Sequence, residues 1–250
     1  MPRFAANLSL LFTEFPYLER FEAAARAGFR AVEILFPYEF PAGETRRALI
    51  SNDLELVLIN APPPNYTGGD QGFAGVPGGE ARFQYDMRRV MRFAGEFHPG
   101  VIHLMSGYSE DPAAVDVLVQ NLQWAADMAP MQQFTIEPLN RTDQPGYVLS
   151  DFDLAAEVLA RVGRDNVGLQ FDTYHAQVIH GDALAVWDRV APLVRHVQVG
   201  DVPGRVEPGG GHFDFRGFFE MLDATGYAGW VSAEYHPRTK LTKDSLGWMR

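Results

Sequence analysis

"GWVSAEYHP" (229–237) begins as an apolar run and ends on a carboxylate, Glu234. Three other runs are built alike: "FTIEPLN" (134–140) closes on Glu137, "VGLQFDTYH" (167–175) on Asp172, and "VRHVQVGD" (194–201) carries Gln198 at its end. Each is short, bounded by turn residues and apolar enough to be a strand buried on both faces, as in a parallel sheet covered by helices. Working outward, strand patterns also fall near 3–8, 30–35, 54–59 and 100–105, so eight are expected with those near 133–137, 166–172, 194–199 and 229–234. Helical spacing fills the intervals at 17–28, 80–97, 111–129, 150–163 and 214–226. The helices after strands two and six are the least defined. Eight β-α units in 250 residues predict a (β/α)8 TIM barrel, read as one domain over 1–250.

Bulk properties agree. Hydrophobic residues make up 46% and charged residues 21%, ordinary proportions for a globular protein. The net charge is −11; Lys240 and Lys243 both fall in the last eleven residues, and no basic block exists. Nucleic acid is therefore excluded as a partner, because phosphate neutralisation needs clustered cations. No run reaches the roughly 18 apolar residues of a membrane span. The N-terminus reads as a first strand, not a signal peptide. The absence of Cys excludes disulfides and thiolate chemistry and fits a cytoplasmic protein. The pattern leaves a homo-oligomer open. The longest irregular stretch, "NAPPPNYTGGDQGFAGVPGG" (60–79), follows a strand, so it is expected at the barrel mouth as a lid or as a plain solvent loop.

The four strand-end groups, Glu137, Asp172, Gln198 and Glu234, sit on strands five to eight, each about one β-α unit from the next. In such barrels the C-terminal strand ends form the active face. Taken singly, each acid could be a helix cap. Taken together, converging carboxylates need a counter-charge. Oxygen donors of this kind suit a hard divalent ion, Mg²⁺ or Mn²⁺, better than Zn²⁺. His175 follows Asp172 by three residues. Arg205 could fork onto a substrate carboxylate or pair with Glu207 or Asp201. Earlier strands offer Asn7, Glu33, Asn60 and His103 as weaker candidates. The Gly209–Gly211 run lacks the spacing of a dinucleotide site.

The stretches 7–39, "IEPLN" (136–140), "FDTYH" (171–175), "HVQVGDVPGRVEPGGG" (196–211) and "GYAGWVSAEYHP" (226–237) resemble the hydroxypyruvate isomerase family of xylose isomerase-like barrels. The resemblance spans nearly the whole chain. It implies a metal-assisted isomerase that interconverts hydroxypyruvate and tartronate semialdehyde, or a 2-oxo-tetronate homologue, through an enediolate. It places the two catalytic glutamates at Glu137 and Glu234 and the divalent-metal ligands at Glu137, Asp172, Gln198 and Glu234. His175 and Arg205 match positions that contact substrate in related barrels, and Glu207, Asn7 and His103 stand beside them as candidates for substrate contact from the residue pattern. The 60–79 loop departs from the family's usual lid segment, which bears on substrate identity. The competing readings are a ketose 3-epimerase, which usually carries His where Gln198 stands, an abasic-site endonuclease, and a barrel that binds a small ligand without turnover.

Overall fold

In the computed structural model, which describes residues 2–62 and 72–249, eight parallel strands close into a barrel in sequence order. They are β1 (Arg3–Asn7), β2 (Ala31–Ile34), β3 (Glu55–Ala61), β4 (Val101–Leu104), β5 (Gln133–Ile136), β6 (Val167–Asp172), β7 (Val194–Val199) and β8 (Trp230–Ala233). β1 closes the ring on β8, with Arg3 beside Trp230 and Ala6 beside Ala233. The eight expected strands are all present, each within a residue or two of its expected bounds.

Around them lie α1 (Glu19–Arg26), α2 (Ala42–Ser51), α3 (Glu80–Phe97), α4 (Ala114–Met128), α5 (Phe152–Val162), α6 (Thr173–His180), α7 (Ala183–Val190) and α8 (Phe215–Ala224). The interval after β6, where the helical pattern is weak, holds two short helices. Gly181 ends α6 in the left-handed region, and the Asp182 carboxylate starts α7 by accepting from Ala185 N. Helix α5 shows the same punctuation: Asp151 caps Asp153 N and Leu154 N, and Gly163 stops it with φ 58°. The expected helices at 17–28, 111–129 and 150–163 are longer by two or three residues at one or both ends, because their outer residues form turns or caps outside the helix.

The core is the layer between strands and helices. Phe134, Phe152, Phe171, Trp187 and Phe218 are fully buried there, and Phe171 packs edge-on against Trp187 and stacks on Phe218. The barrel interior is different. It is filled by polar side chains that alternate along the strands with core-facing ones: Thr135, Gln170, Asp172, His196, Gln198 and Ser232 are all buried.

The 63–71 part of the expected lid lies outside the described residues. Residues 72–79 return along the end of β4, where Gly75 N donates to Ser106 O at 2.7 Å and Asn121 Nδ2 to Ala74 O at 2.8 Å. Among the described residues, no helix is long and apolar enough to cross a membrane.

Candidate active site

Strands β5 to β8 deliver Glu137, Asp172, Gln198 and Glu234 to one end of the barrel, and all four are buried. Asp172 serves twice: Oδ1 caps α6 by accepting from Tyr174 N at 2.9 Å, and Oδ2 faces the neighbouring groups. Capping and site roles therefore coexist in one carboxylate.

The counter-charge among the acids is Arg205. Its Nη2 lies 2.5 Å from Asp172 Oδ2 and 3.0 Å from Glu234 Oε1, and its Nε donates to the Glu234 carbonyl at 3.2 Å. The guanidinium carbon stands 5.4 Å from the Tyr174 ring centre. Burial works against this cation, but Glu234, Asp172 and Glu137 hold its pKa above the ordinary value. Burial pushes the Glu234 carboxyl up to about 8 despite Arg205, and Asp172 up to about 6. Glu137 is raised well above the ordinary range, by burial first and then by the charges of Glu234 and Asp172.

Arg205 reaches the acids because its loop is held. Arg205 has φ 53°, a conformation L-residues seldom adopt. The fully buried Asp201 carboxylate accepts from the backbone N–H groups of Val202, Gly209, Gly211, His212 and Phe213, at 2.8–3.0 Å. Five charge-assisted hydrogen bonds thus tie both ends of the loop to one side chain. Gly200 supplies room, since a Cβ there would stand 2.9 Å from Arg205 Cγ.

His175 stands beside Asp172, with Nε2 at 3.8 Å from Oδ2. Its Nδ1 accepts from the Asn140 backbone N–H at 3.1 Å, so the proton of the neutral ring is on Nε2. Burial first, then Arg205, holds its pKa well below the ordinary value, so the ring stays neutral. His103 lies 3.6 Å from Glu137 Oε2 and 3.2 Å from Asn60 Oδ1, and burial pushes its pKa down to about 3.

Two of the sequence candidates go elsewhere. Glu207 points to the C-terminal segment, where it pairs with Arg238 at 3.0 Å. Asn7 backs Glu33 instead of the strand-end acids, donating to Glu33 Oε1 at 2.7 Å. Four residues were not picked out in the sequence: Gln170, which donates to Glu137 Oε2 at 2.8 Å; Thr135, which donates to Gln170; His196, 2.8 Å from Glu33 Oε2; and Asp201 as loop anchor. A signal for the first three existed. Each lies two residues before a strand-end group, and period two puts both on one side of a strand.

Two of the acids keep oxygens free for a ligand. Glu137 Oε1 and Glu234 Oε2 are buried oxygens with no hydrogen-bond partner among the described residues. Such orphaned acceptors are costly unless something binds them. Glu137, Asp172 and His175 bring one ligand-type atom each within 4.8 Å of one another. The hydrogen bond from Asn140 leaves His175 Nε2 protonated, so the ring is a donor and not a ligand. Gln198 Oε1 accepts from Gln170 at 2.6 Å, and its second lone pair leaves it able to ligate. Glu234 is not in the group of Glu137, Asp172 and His175 among the described residues; what Glu137, Asp172, Gln198 and Glu234 have in common is oxygen donors, the type a hard cation takes.

Comparison with known proteins follows the same line. Residues 21–250 match the family described as xylose isomerase-like TIM barrel. A 2-oxo-tetronate isomerase of Cupriavidus necator is 42% identical, with 100% of this chain and 98% of that protein covered. A hydroxypyruvate isomerase of Escherichia coli is 36% identical, with 100% and 98% covered. A crystal structure from Brucella melitensis, described as an AP endonuclease of family 2, superposes with a TM-score of 0.95 at 40% identity, covering 100% of this chain and 98% of that one.

Proposed function

We propose that this chain, which belongs to the xylose isomerase-like TIM barrel family and within it to the hydroxypyruvate and 2-oxo-tetronate isomerases, isomerises a small 2-oxo acid with a hydroxyl on the carbon next to its carbonyl. The substrate class is hydroxypyruvate or its four-carbon 2-oxo-tetronate homologue. The observation that carries the reading is the pair of buried glutamates, each with one partnerless oxygen, set beside a single guanidinium.

Glu137 and Glu234 are the proton-transfer groups. One carboxylate takes the C–H proton from the hydroxyl-bearing carbon, and the other carboxyl delivers a proton to the former carbonyl carbon. The hydroxyl proton passes to the oxygen of that carbon, so composition is unchanged. His175 Nε2–H donates to the oxygen on which negative charge develops. Arg205, with 19% of its side chain exposed, keeps an edge for the substrate carboxylate. The raised pKa values of Glu137 and Glu234 match groups that must both take and give a proton near neutrality. Glu137, Asp172, Gln198 and Glu234 would hold a divalent ion. Such an ion, when bound, would supply Lewis-acid polarisation of the carbonyl.

The test is proton NMR in D₂O with hydroxypyruvate and with 2-oxo-tetronate, with Mg²⁺, with trace Mn²⁺ and with EDTA. For one of the two acids, metal-dependent exchange of the proton on the hydroxyl-bearing carbon is expected together with its isomer, the aldehyde from hydroxypyruvate or the 3-oxo acid from 2-oxo-tetronate. Exchange with inversion on a free ketose, and none on the acids, would establish a 3-epimerase instead.

A further inference from the structure

Beneath the reacting groups lies a chain of side-chain amides with a fixed direction. Asn7 Oδ1 accepts from the Ser9 backbone N–H at 2.9 Å, so its Nδ2 is turned to Glu33 Oε1, at 2.7 Å. The same Glu33 oxygen takes Gln198 Nε2 at 2.8 Å, and the other carboxylate oxygen faces His196 Nε2 at 2.8 Å. With its nitrogen on Glu33, Gln198 presents Oε1 to Gln170 Nε2, at 2.6 Å. Gln170 Oε1 accepts from Thr135 Oγ1 at 3.1 Å, which fixes that amide a second time. The remaining hydrogen of Gln170 Nε2 goes to Glu137 Oε2, at 2.8 Å. An amide nitrogen has two hydrogens, so this one is fully committed. Turning either amide over would set nitrogen against nitrogen or carbonyl oxygen against carboxylate. Every member of the chain is buried.

We propose that Gln170 is the positioning residue of Glu137: oriented from Glu33 through Gln198, it holds Oε2 and leaves Oε1 as the oxygen that exchanges the substrate proton. This rests on the reading of Glu137 as a proton-transfer group. Gln170 acts through Glu137 and touches no substrate itself. Thr135 locks the direction of the Gln170 amide.

The experiment is steady-state kinetics of the wild type, Gln170→Met, Thr135→Val and the double variant on the better of the two acids, with thermal melts as the control for folding. Gln170→Met removes the donor while keeping the volume, and kcat is expected to fall about 10–100-fold with KM little changed, as for loss of a group that orients a ligand or base. Thr135→Val removes one of the two locks on the amide, loosening its hold on Glu137, and lowers kcat by a smaller factor. In the Gln170→Met background, Thr135→Val should change kcat no further, because the amide it locks is gone. A merely structural role would give effects that multiply. Wild-type kcat in Gln170→Met, or multiplying effects in the double variant, overturns the assignment. If Gln170→Met does not fold, Thr135→Val decides alone, and an unchanged kcat overturns it. A wild type that exchanges no α-proton from either acid overturns the functional reading instead, and this inference with it.

Discussion

Two groups of carboxylate sit in the same barrel, equally buried, and behave in opposite ways. Glu33, from β2, takes hydrogen bonds from Asn7, Gln198 and His196. Burial alone would raise its pKa, but His196, Gln198 and Ser232 outweigh it and hold it below the ordinary value. Asp172 and Glu234 share one guanidinium, Glu137 and Glu234 each keep a partnerless oxygen, and all three have raised pKa values. Burial therefore does not decide what a carboxylate is for; the completeness of its hydrogen bonding does. The satisfied group holds the barrel's polar interior in one arrangement, and the unsatisfied oxygens keep lone pairs free to accept.

The sharpest break between the two is kinetic. Glu234→Gln should lower kcat by about 10²–10⁴-fold, the worth of a positioned acid–base group, while melting at or above the wild-type temperature. Near-normal turnover would remove Glu234 from the mechanism. Stability gives the converse. Glu33→Leu leaves His196, Asn7 and Gln198 without their acceptor and should cost about 3–5 kcal/mol in urea denaturation. A loss as small for Glu33→Leu as for Glu234→Leu would erase the distinction.

The pH dependence separates the groups by sign. Glu234 binds its proton more tightly folded than unfolded, so its contribution is complete below 4.5 and is lost as pH rises towards about 8. Glu33 is shifted the other way, so its contribution holds above 4.5 and is lost as pH falls through its lower folded value. Melting temperature should therefore decline between pH 4.5 and 8 more steeply in the wild type than in Glu234→Gln. Mg²⁺ or Mn²⁺ should raise it more at pH 8 than at pH 5, since the ion needs ionised ligands, and EDTA should reverse the gain. An equal shift at both pH values would put the ion elsewhere.

The smallest expected effect is remote. Asp201→Asn replaces an anion that holds five N–H groups by an amide that turns a donor towards some of them. KM should rise about tenfold through Arg205, the scale of a lost charge-assisted hydrogen bond. A KM equal to wild type would free Arg205's placement from Asp201.

The sequence by itself determined the alternation of eight strands and the helices between them, and the four side chains that close strands five to eight. Those are local properties: a strand repeats every two residues and a helix every 3.6, and both periods are written in neighbouring positions. The inner layer was legible by the same rule two residues back, at Thr135, Gln170 and His196. Tertiary structure alone decided which cation meets the acids, that Glu207 leaves for Arg238, and that Glu33 reaches across from β2 to Gln198 on β7. Those pairings join residues up to 165 positions apart. They depend on barrel closure and on a loop held in a left-handed turn by one buried carboxylate. No short-range pattern encodes that, because the hydrogen bonds that enforce it form only once the chain has closed on itself.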